Sequence, residues 1–351
     1  MIHVGFDLHK RYITACALDA DGVIVAEARR LSTEWSAIAA WLAPLPAPVT
    51  VVLEATVFWM WLEAQLTAAG YQVVVANAAQ VKLIWHARAK TDPIDARKLA
   101  ELSRVNLLPR IWIPDSATRA RRQLLRGRAF LVRQRTVLKN RVHAHLLAEN
   151  CQCPVLGVFT KSGRAWLARV VLSPVARLQI DLLLASLDLL TLHVQRLDRE
   201  IARAVARNTE CDRLQTIPGV GPFSALLLQA EIGPITRFRS AHELAAYAGL
   251  VPSTQSSGGK THHGRVAHGS PWLKWILVEI VQTLKPIAGP VGGHYRRLLK
   301  AKGKQKATVA AARKLCTYVY WMCRQELTYP EWLRQHDHVE VRPRLMLGPT
   351  A

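Results

Sequence analysis

Acid is what this chain has least of. Its 351 residues hold 25 Asp and Glu against 47 Lys and Arg, a formal net charge of +22. That surplus says little about fold, but it predicts attraction to polyanions. Long apolar runs are also missing. No stretch of about 18 uncharged apolar residues occurs, which argues against a transmembrane helix. The first residues, MIHVGFDLHK, read as a charged strand rather than an apolar leader. Nucleic acid in the cytoplasm is therefore the better partner than a membrane surface. Cysteine is sparse as well. Of Cys16, Cys151, Cys153, Cys211, Cys316 and Cys323, only Cys151 and Cys153 are close. Their C-x-C spacing has no second ligand pair, so reduced thiols of a cytosolic protein are the better reading than a zinc site.

What is present begins with strands. Residues 2–8, 12–18 and 23–29 alternate or run apolar, and the turn Asp19-Ala20-Asp21-Gly22 predicts a hairpin between the second and third. A helical pattern at 33–43 precedes a buried strand at 49–54. Another helix from Trp59 to Ala69 closes at Gly70, and a fifth strand covers 71–76. Three meandering strands followed by alternating helix and strand predict a mixed sheet with helices on its faces. From Thr91 onward the pattern is mostly helical, interrupted by Pro109 and Pro114.

In so basic a chain, acids at strand ends are unlike ordinary solvating charges. Asp7 is expected near the end of the central first strand and Glu54 at the end of its neighbour, the fourth. Asp92 and Asp95, spaced i, i+3, share one helix face. Together they could place hard oxygen ligands around one or two Mg²⁺ ions. Two such ions about 3.5–4 Å apart can clamp the attacking and leaving oxygens of a phosphodiester. Turn residues and helix caps remain the plainer alternative, with Asp92 as a cap for the helix entered at Pro93.

The stretch from Ser116 to Ala148 contains no acid, yet it carries Arg119, Arg121, Arg122, Arg126, Arg128, Arg133, Arg135, Lys139 and Arg141. Leu124, Leu131, Leu138 and Leu146 fall near one helical face. A solvated helix normally mixes signs, so a phosphate-facing helix is expected. Residues 172–205 resume an amphipathic, leucine-rich pattern, suited to pairing with the basic helix or with a second subunit. Pro218-Gly219-Val220-Gly221-Pro222 then precedes an apolar helix. That is the shape of a helix–hairpin–helix, whose backbone N–H groups bind phosphate; an ordinary Gly-Pro turn is the alternative. Residues 253–270 read as a polar, glycine-rich loop. Within it Ser257 is a candidate nucleophile. Lys260 and Arg265 could neutralise charge on a reacting phosphate. From the residues alone, a flexible Ser/Gly loop is the better reading. A second basic cluster gathers Arg296, Arg297, Lys300, Lys302, Lys304 and Lys306.

Together, GFDLHK, LEAT, KTDPIDARKLAEL, IPGVGP and GLVPSTQSSGGK resemble the insertion-sequence 110 family of transposases, particularly its 1111-like subgroup. The likeness spans nearly the whole chain, with five motifs in order. It implies an α/β plus α fold in three parts. A RuvC/RNase H-like DEDD domain would cover residues 1–110 and a helical, coiled-coil basic arm 111–208. A mostly helical transposase domain with helix–hairpin–helix and serine loop would cover 209–340, with a tail at 341–351. The resemblance assigns the acid set to Asp7, Glu54, Asp92 and Asp95, and the nucleophile to Ser257, with Ser256 as the fallback. It implies Mg²⁺, strand exchange of donor and target DNA through a phosphoserine, and a homo-oligomer in which dimers assemble to a tetramer. It also implies guidance by a structured noncoding RNA and residence in the bacterial cytoplasm at the nucleoid. Two departures stand out: Val57 follows LEAT where the family usually has Gly, and Gly264 to Ser270 is about one residue short of the usual pattern. A metal-dependent Holliday-junction or structure-selective nuclease is the rival enzyme, and a non-catalytic DNA- or RNA-binding protein the rival of another class.

Overall fold

A computed structural model describes residues 1–84, 91–257, 260–266 and 269–336. The tail expected from Glu340 to Ala351 lies outside the described residues. The chain divides into two compact units, Met1–Ile113 and Pro114–Ala351.

In the first unit, β1 (Ile2–Leu8), β2 (Ile13–Leu18), β3 (Ile24–Leu31), β4 (Val49–Glu54) and β5 (Gln72–Ala76) form one mixed sheet in the order β3-β2-β1-β4-β5. The central β1 pairs antiparallel with β2 and parallel with β4. The expected hairpin turn is made: the Asp19 carboxylate accepts from the N–H groups of Asp21 and Val23, and Gly22 takes φ +85°. Strand alternation then assigns the faces. Val4, Phe6, Leu8, Val51 and Leu53 look toward α1 (Trp35–Leu42) and α2 (Trp59–Ala68), where Ile38, Leu42, Leu62 and Leu66 complete the core. On the other face, Val52 meets Val81 of α3 (Ala78–Ile84) and Leu99 and Leu102 of α4 (Asp92–Arg104).

Gly5 sets how closely α4 approaches. A Cβ there would run into the Ala96 carbonyl oxygen and lie 2.7 Å from the Ala100 nitrogen. Ala96 and Ala100, one turn apart, complete a small cluster with Cys16 and Leu18. α4 runs antiparallel to β1, since Ser103 Oγ lies 3.0 Å from His3 Nδ1 while Ala96 and Ala100 cover Gly5. The first turn of α4 is thereby carried to the carboxyl end of β1.

The second unit is mostly helical. α5 (Ser116–Ala148) starts at Asp115, whose carboxylate accepts from Thr118 N–H at 2.6 Å. Past α6 (Lys161–Leu167), α7 (Pro174–Val205) is capped in the same way by Ser173. α5 and α7 pack antiparallel: Arg128 meets Asp198 at one end, and Glu149 meets Ser173 at the other. The buried positions of α5 are Thr118, Leu125, Ala129, Val142 and Leu146, whereas Leu124, Leu131 and Leu138 are only half-buried. A strict seven-residue step drifts by about 20° per heptad on a straight helix, so the leucine ladder marks the edge of the buried stripe.

α8 (Thr209–Gln215), α9 (Pro222–Ile232), α10 (Ala241–Tyr247), α11 (Pro271–Leu284), α12 (Pro290–Gln325) and α13 (Tyr329–His336) enclose one apolar core. Leu226, Leu228, Leu277, Val281, Leu315 and Val319 are fully buried in it. Gly303, at φ +74°, breaks the helical path of α12 between Lys302 and Lys304, in the middle of the second basic cluster.

One expectation is corrected here. The segment read as a polar loop at 253–270 is a two-stranded antiparallel hairpin, β6 (Pro252–Ser257) and β7 (Lys260–Val266). Its polarity concealed the strands, because period-2 apolar alternation is missing. Thr254, Thr261 and Val266 are β-branched, and exactly two residues, Gly258 and Gly259, separate the strands. A Gly-Gly pair between such runs is itself a hairpin signal.

Candidate functional site

The sheet brings its acids to one end. Asp7 is the penultimate residue of β1 and Glu54 the last of β4. The parallel register pairs Phe6 with Leu53, so Asp7 and Glu54 follow side by side on the face beneath α4. Asp92 and Asp95 occupy the first turn of α4. Thr91 occupies the N-cap position of that helix, with no side-chain capping bond, and Asp92 is already its first residue. Burial pushes the Asp7 carboxyl above its usual range; nearby His9 pulls it down, while Asp95 and Asp92 push it further up. Burial also raises Glu54, with Asp7 adding to the rise, Lys98 opposing it and Asp95 raising it again. These acids feel one another's charge.

His9 joins them, although the sequence reading did not single it out. Its Nε2 lies 3.0 Å from Asp7 Oδ2 and 3.3 Å from Asp92 Oδ2. The ligand atoms of Asp7, His9 and Asp92 all fall within 4.8 Å of one another. His9 and Tyr12 flank the tight β1–β2 connection, closed by a hydrogen bond from His9 N–H to Tyr12 O at 3.0 Å. Their rings stack at 4.5 Å, and the Tyr12 hydroxyl donates to Asp92 Oδ2 at 3.0 Å. That bond raises the Tyr12 phenol above its ordinary pKa. A signal existed in the sequence: residues i and i+2 of an extended segment share a face, so the D-x-H of GFDLHK aims both groups one way.

The donor set fits a divalent ion. Asp7 and Glu54 both stay above the usual carboxylate range despite His9, Lys98 and Lys82 nearby. A crowded, under-neutralised carboxylate group is what a bound cation relieves. Asp7, Asp92 and His9 offer the converging atoms, with Glu54 and Asp95 beside them.

The basic helix divides into two kinds of residue. Arg126 donates to Glu231 Oε1 on α9 at 2.8 Å, and Arg122 donates to the Ala230 carbonyl at 2.8 Å. Arg128 pairs with Asp198 at 2.9 Å and covers the Phe223 ring. These three guanidiniums are engaged within the protein. Arg133 and Arg141 are exposed, with Arg133 above the Trp272 ring at 5.5 Å. Lys139 sits over Phe159 at 5.2 Å, and Arg119, Arg121 and Arg135 are half-buried. A turn over residues 216–221 joins α8 to α9. Gly219 takes φ +86°, and a Cβ on it would lie 2.5 Å from Thr283 of α11, whereas Gly221 caps α9 in open space. Gly219 thus has a packing reason of its own.

In the hairpin, Ser257 pairs with Lys260 across the turn. The side chains of Ser257, Ser256, Lys260 and Arg265 lie outside the described part of the structure. The base of the hairpin is clamped. Ser270 N–H donates to Tyr247 O at 2.7 Å, and Gly269 packs against the backbone of Gly249. Ser270 Oγ donates to Glu231 Oε2 at 3.3 Å. Glu231, 1% exposed, thus ties the hairpin base to α5 through Arg126.

Comparison with known proteins decides the kinship. A family model of the IS110 DEDD type, described as "Transposase", matches residues 4–150. A second, described as "Transposase IS116/IS110/IS902 family", matches residues 211–295. The chain belongs to the IS110/IS116/IS902 transposase family. The first match of this IS110-family chain holds all four acids and His9, and the second holds the α8–α9 turn, Glu231 and the serine hairpin. The chain is 32% identical over 136 residues to the transposase of insertion sequence element IS1111A from Coxiella burnetii, covering 37% of each chain. It is 30% identical over 202 residues to a Pseudomonas aeruginosa protein described as "Probable family 20 transposase", covering 54% of this chain and 58% of that one. It is 28% identical over 246 residues to the transposase of IS1328 from Yersinia enterocolitica, covering 68% and 71%. The matched stretches therefore span less than two thirds of the first two relatives.

Proposed function

We propose that this IS110-family protein cuts and rejoins DNA strands as an insertion-sequence transposase, with the acid cluster as its metal centre and Ser257 as its nucleophile. The reading rests above all on the ligand atoms of Asp7 and Asp92 lying together, with Glu54 at the end of the neighbouring strand and Asp95 in the same first turn of α4. In this reading the first unit is RuvC-like. Asp7, Glu54, Asp92 and Asp95 hold Mg²⁺ or a similar divalent ion through carboxylate oxygens. When bound, such an ion polarises the scissile phosphate and lowers the charge barrier to attack. Ser257 Oγ bonds to phosphorus as the bond from phosphorus to the departing strand oxygen breaks, and the hydroxyl proton passes to a base or water. Lys260 and Arg265 neutralise charge on the phosphate, and Gly219 and Gly221 bring backbone N–H groups to the DNA backbone.

The net charge of +22 and the exposed arginines of α5 support binding of both donor and target DNA and a structured noncoding guide RNA. The α5–α7 pair acts as a coiled-coil arm, and dimers assemble to a tetramer. The protein works in the cytoplasm at the nucleoid; among the described residues no helix is long and apolar enough to cross a membrane. The test is a denaturing gel of a trapped reaction on labelled DNA. Wild-type protein is expected to carry covalent label and Ser257→Ala none. Label retained by Ser257→Ala and lost in Ser256→Ala moves the nucleophile by one residue. Cleavage unaffected by either change leaves a metal nuclease.

A further inference from the structure

The four acids alone would make an all-oxygen centre, and His9 changes its chemistry. Its Nε2 is shielded from solvent, yet no hydrogen-bond acceptor is aligned with it. Asp7 Oδ2 at 3.0 Å and Asp92 Oδ2 at 3.3 Å are within ion-pair distance of it, yet neither makes a well-formed hydrogen bond with it. A hydrogen bond loses strength steeply when its angle falls below about 120°. Ligands of one ion obey a different rule, because each aims at a common point rather than at its neighbour. With bonds of about 2.1 Å at right angles, adjacent ligand atoms lie about 3.0 Å apart. The two separations at His9 are of that size.

The surroundings hold the imidazole in place. Tyr12 stacks on the His9 ring and donates its hydroxyl to Asp92, and the Arg30 guanidinium covers the other partner of that stack, 4.8 Å from the Tyr12 ring centre. Outer partners of this kind orient metal ligands and are part of the ligand set's affinity.

We propose that His9 Nε2 is a ligand of the ion held by Asp7 and Asp92, and that it biases the centre toward Mn²⁺ over Mg²⁺. This rests on the metal reading above and sharpens it. Mg²⁺ takes oxygen ligands and dehydrates reluctantly, whereas imidazole suits transition ions. Mn²⁺ accepts carboxylate oxygen and imidazole nitrogen together, so a mixed set favours it without excluding Mg²⁺.

The experiment is pulsed electron paramagnetic resonance on Mn²⁺ bound to the full chain, with affinities for Mn²⁺ and Mg²⁺ from titration and competition. Wild-type protein is expected to show nitrogen modulation on bound Mn²⁺, and His9→Ala to lose it. The chain has 13 histidines, so that loss is what assigns the signal. His9→Ala should weaken Mn²⁺ by at least about tenfold, the lower end of what even an outer partner contributes, and weaken Mg²⁺ far less. Tyr12→Phe should keep the nitrogen signal, which guards against a general collapse of the site. Bound Mn²⁺ without nitrogen modulation overturns this inference and leaves the carboxylate centre standing. Failure of the wild type to bind either ion overturns both.

Discussion

Asp7 and Glu231 are both carboxylates drawn away from water, and the two units treat them in opposite ways. Glu231 is 1% exposed and fully answered: Arg126 holds one oxygen, and Ser270, with Arg122 beyond, the other. Asp7 is surrounded by more acid. Burial and its neighbours Asp95 and Asp92 hold its carboxyl above the ordinary range, against the pull of His9. A buried charge with partners is a structural joint, and a buried charge among like charges is a stored demand for a cation. Burial alone distinguishes neither; the sign of the neighbours does.

The comparison breaks first at activity. Asp7→Ala should reduce metal-dependent strand cleavage to background while nucleic-acid binding stays largely intact, since basic residues supply most affinity. Cleavage and gel-shift assays run together check this, and full cleavage would remove Asp7 from the centre. Glu231→Ala should act on stability instead. It leaves Arg126 and Ser270 without their acceptor, and breaking a buried pair costs about 3–5 kcal/mol. Denaturant unfolding measures it, and a loss below about 1 kcal/mol would mean solvent reaches the site.

Gly5→Ala should both destabilise the first unit, by about 1–3 kcal/mol as other overpacked positions do, and weaken metal binding. The added methyl would press on Ala96 and Ala100 and shift the first turn of α4, which carries Asp92 and Asp95. Unchanged metal affinity would show that α4 is not what positions the acids. Asp7→Asn should have the opposite sign. A carboxyl whose folded pKa is raised favours folding most below its ordinary pKa, and that contribution is lost as pH rises through the raised value. At neutral pH without metal, Asp7→Asn should therefore melt a few degrees above wild type. The difference should shrink as pH falls to about 4, where carboxyls take up protons. Calorimetry at both pH values tests it, and added divalent ion should reverse the order.

The smallest effect separates two arginines of one helix. Arg133, exposed, should contribute to the salt dependence of DNA binding, so Arg133→Ala should flatten log K against log salt by about 0.9. Arg126, clamped on Glu231, should leave that slope unchanged and lower stability instead. Equal slopes for both variants would place Arg133 away from nucleic acid.

Much of the first unit was legible before any coordinates. Apolar runs or alternation marked all five strands, and Asp19-Ala20-Asp21-Gly22 carried its turn chemistry in the residues themselves. The serine hairpin was not legible as strands, because its positions are polar on both faces and only Gly258-Gly259 hinted at a turn. His9 was overlooked for another reason. A lone histidine beside a strand end has many possible roles, and its ring nitrogen acquires meaning only next to Asp92, some eighty residues away in sequence.

The sequence by itself determined the charge imbalance, the strand and helix periods and the acids at strand ends, because each depends on residues near in the chain. Tertiary structure decided which charges meet. Gly5 lets α4 lie on β1 and brings Asp92 to Asp7 and His9, while α9 meets α5 and turns Arg122 and Arg126 inward to Glu231. Those pairings depend on which faces pack together, and local sequence carries no record of a partner a hundred residues away.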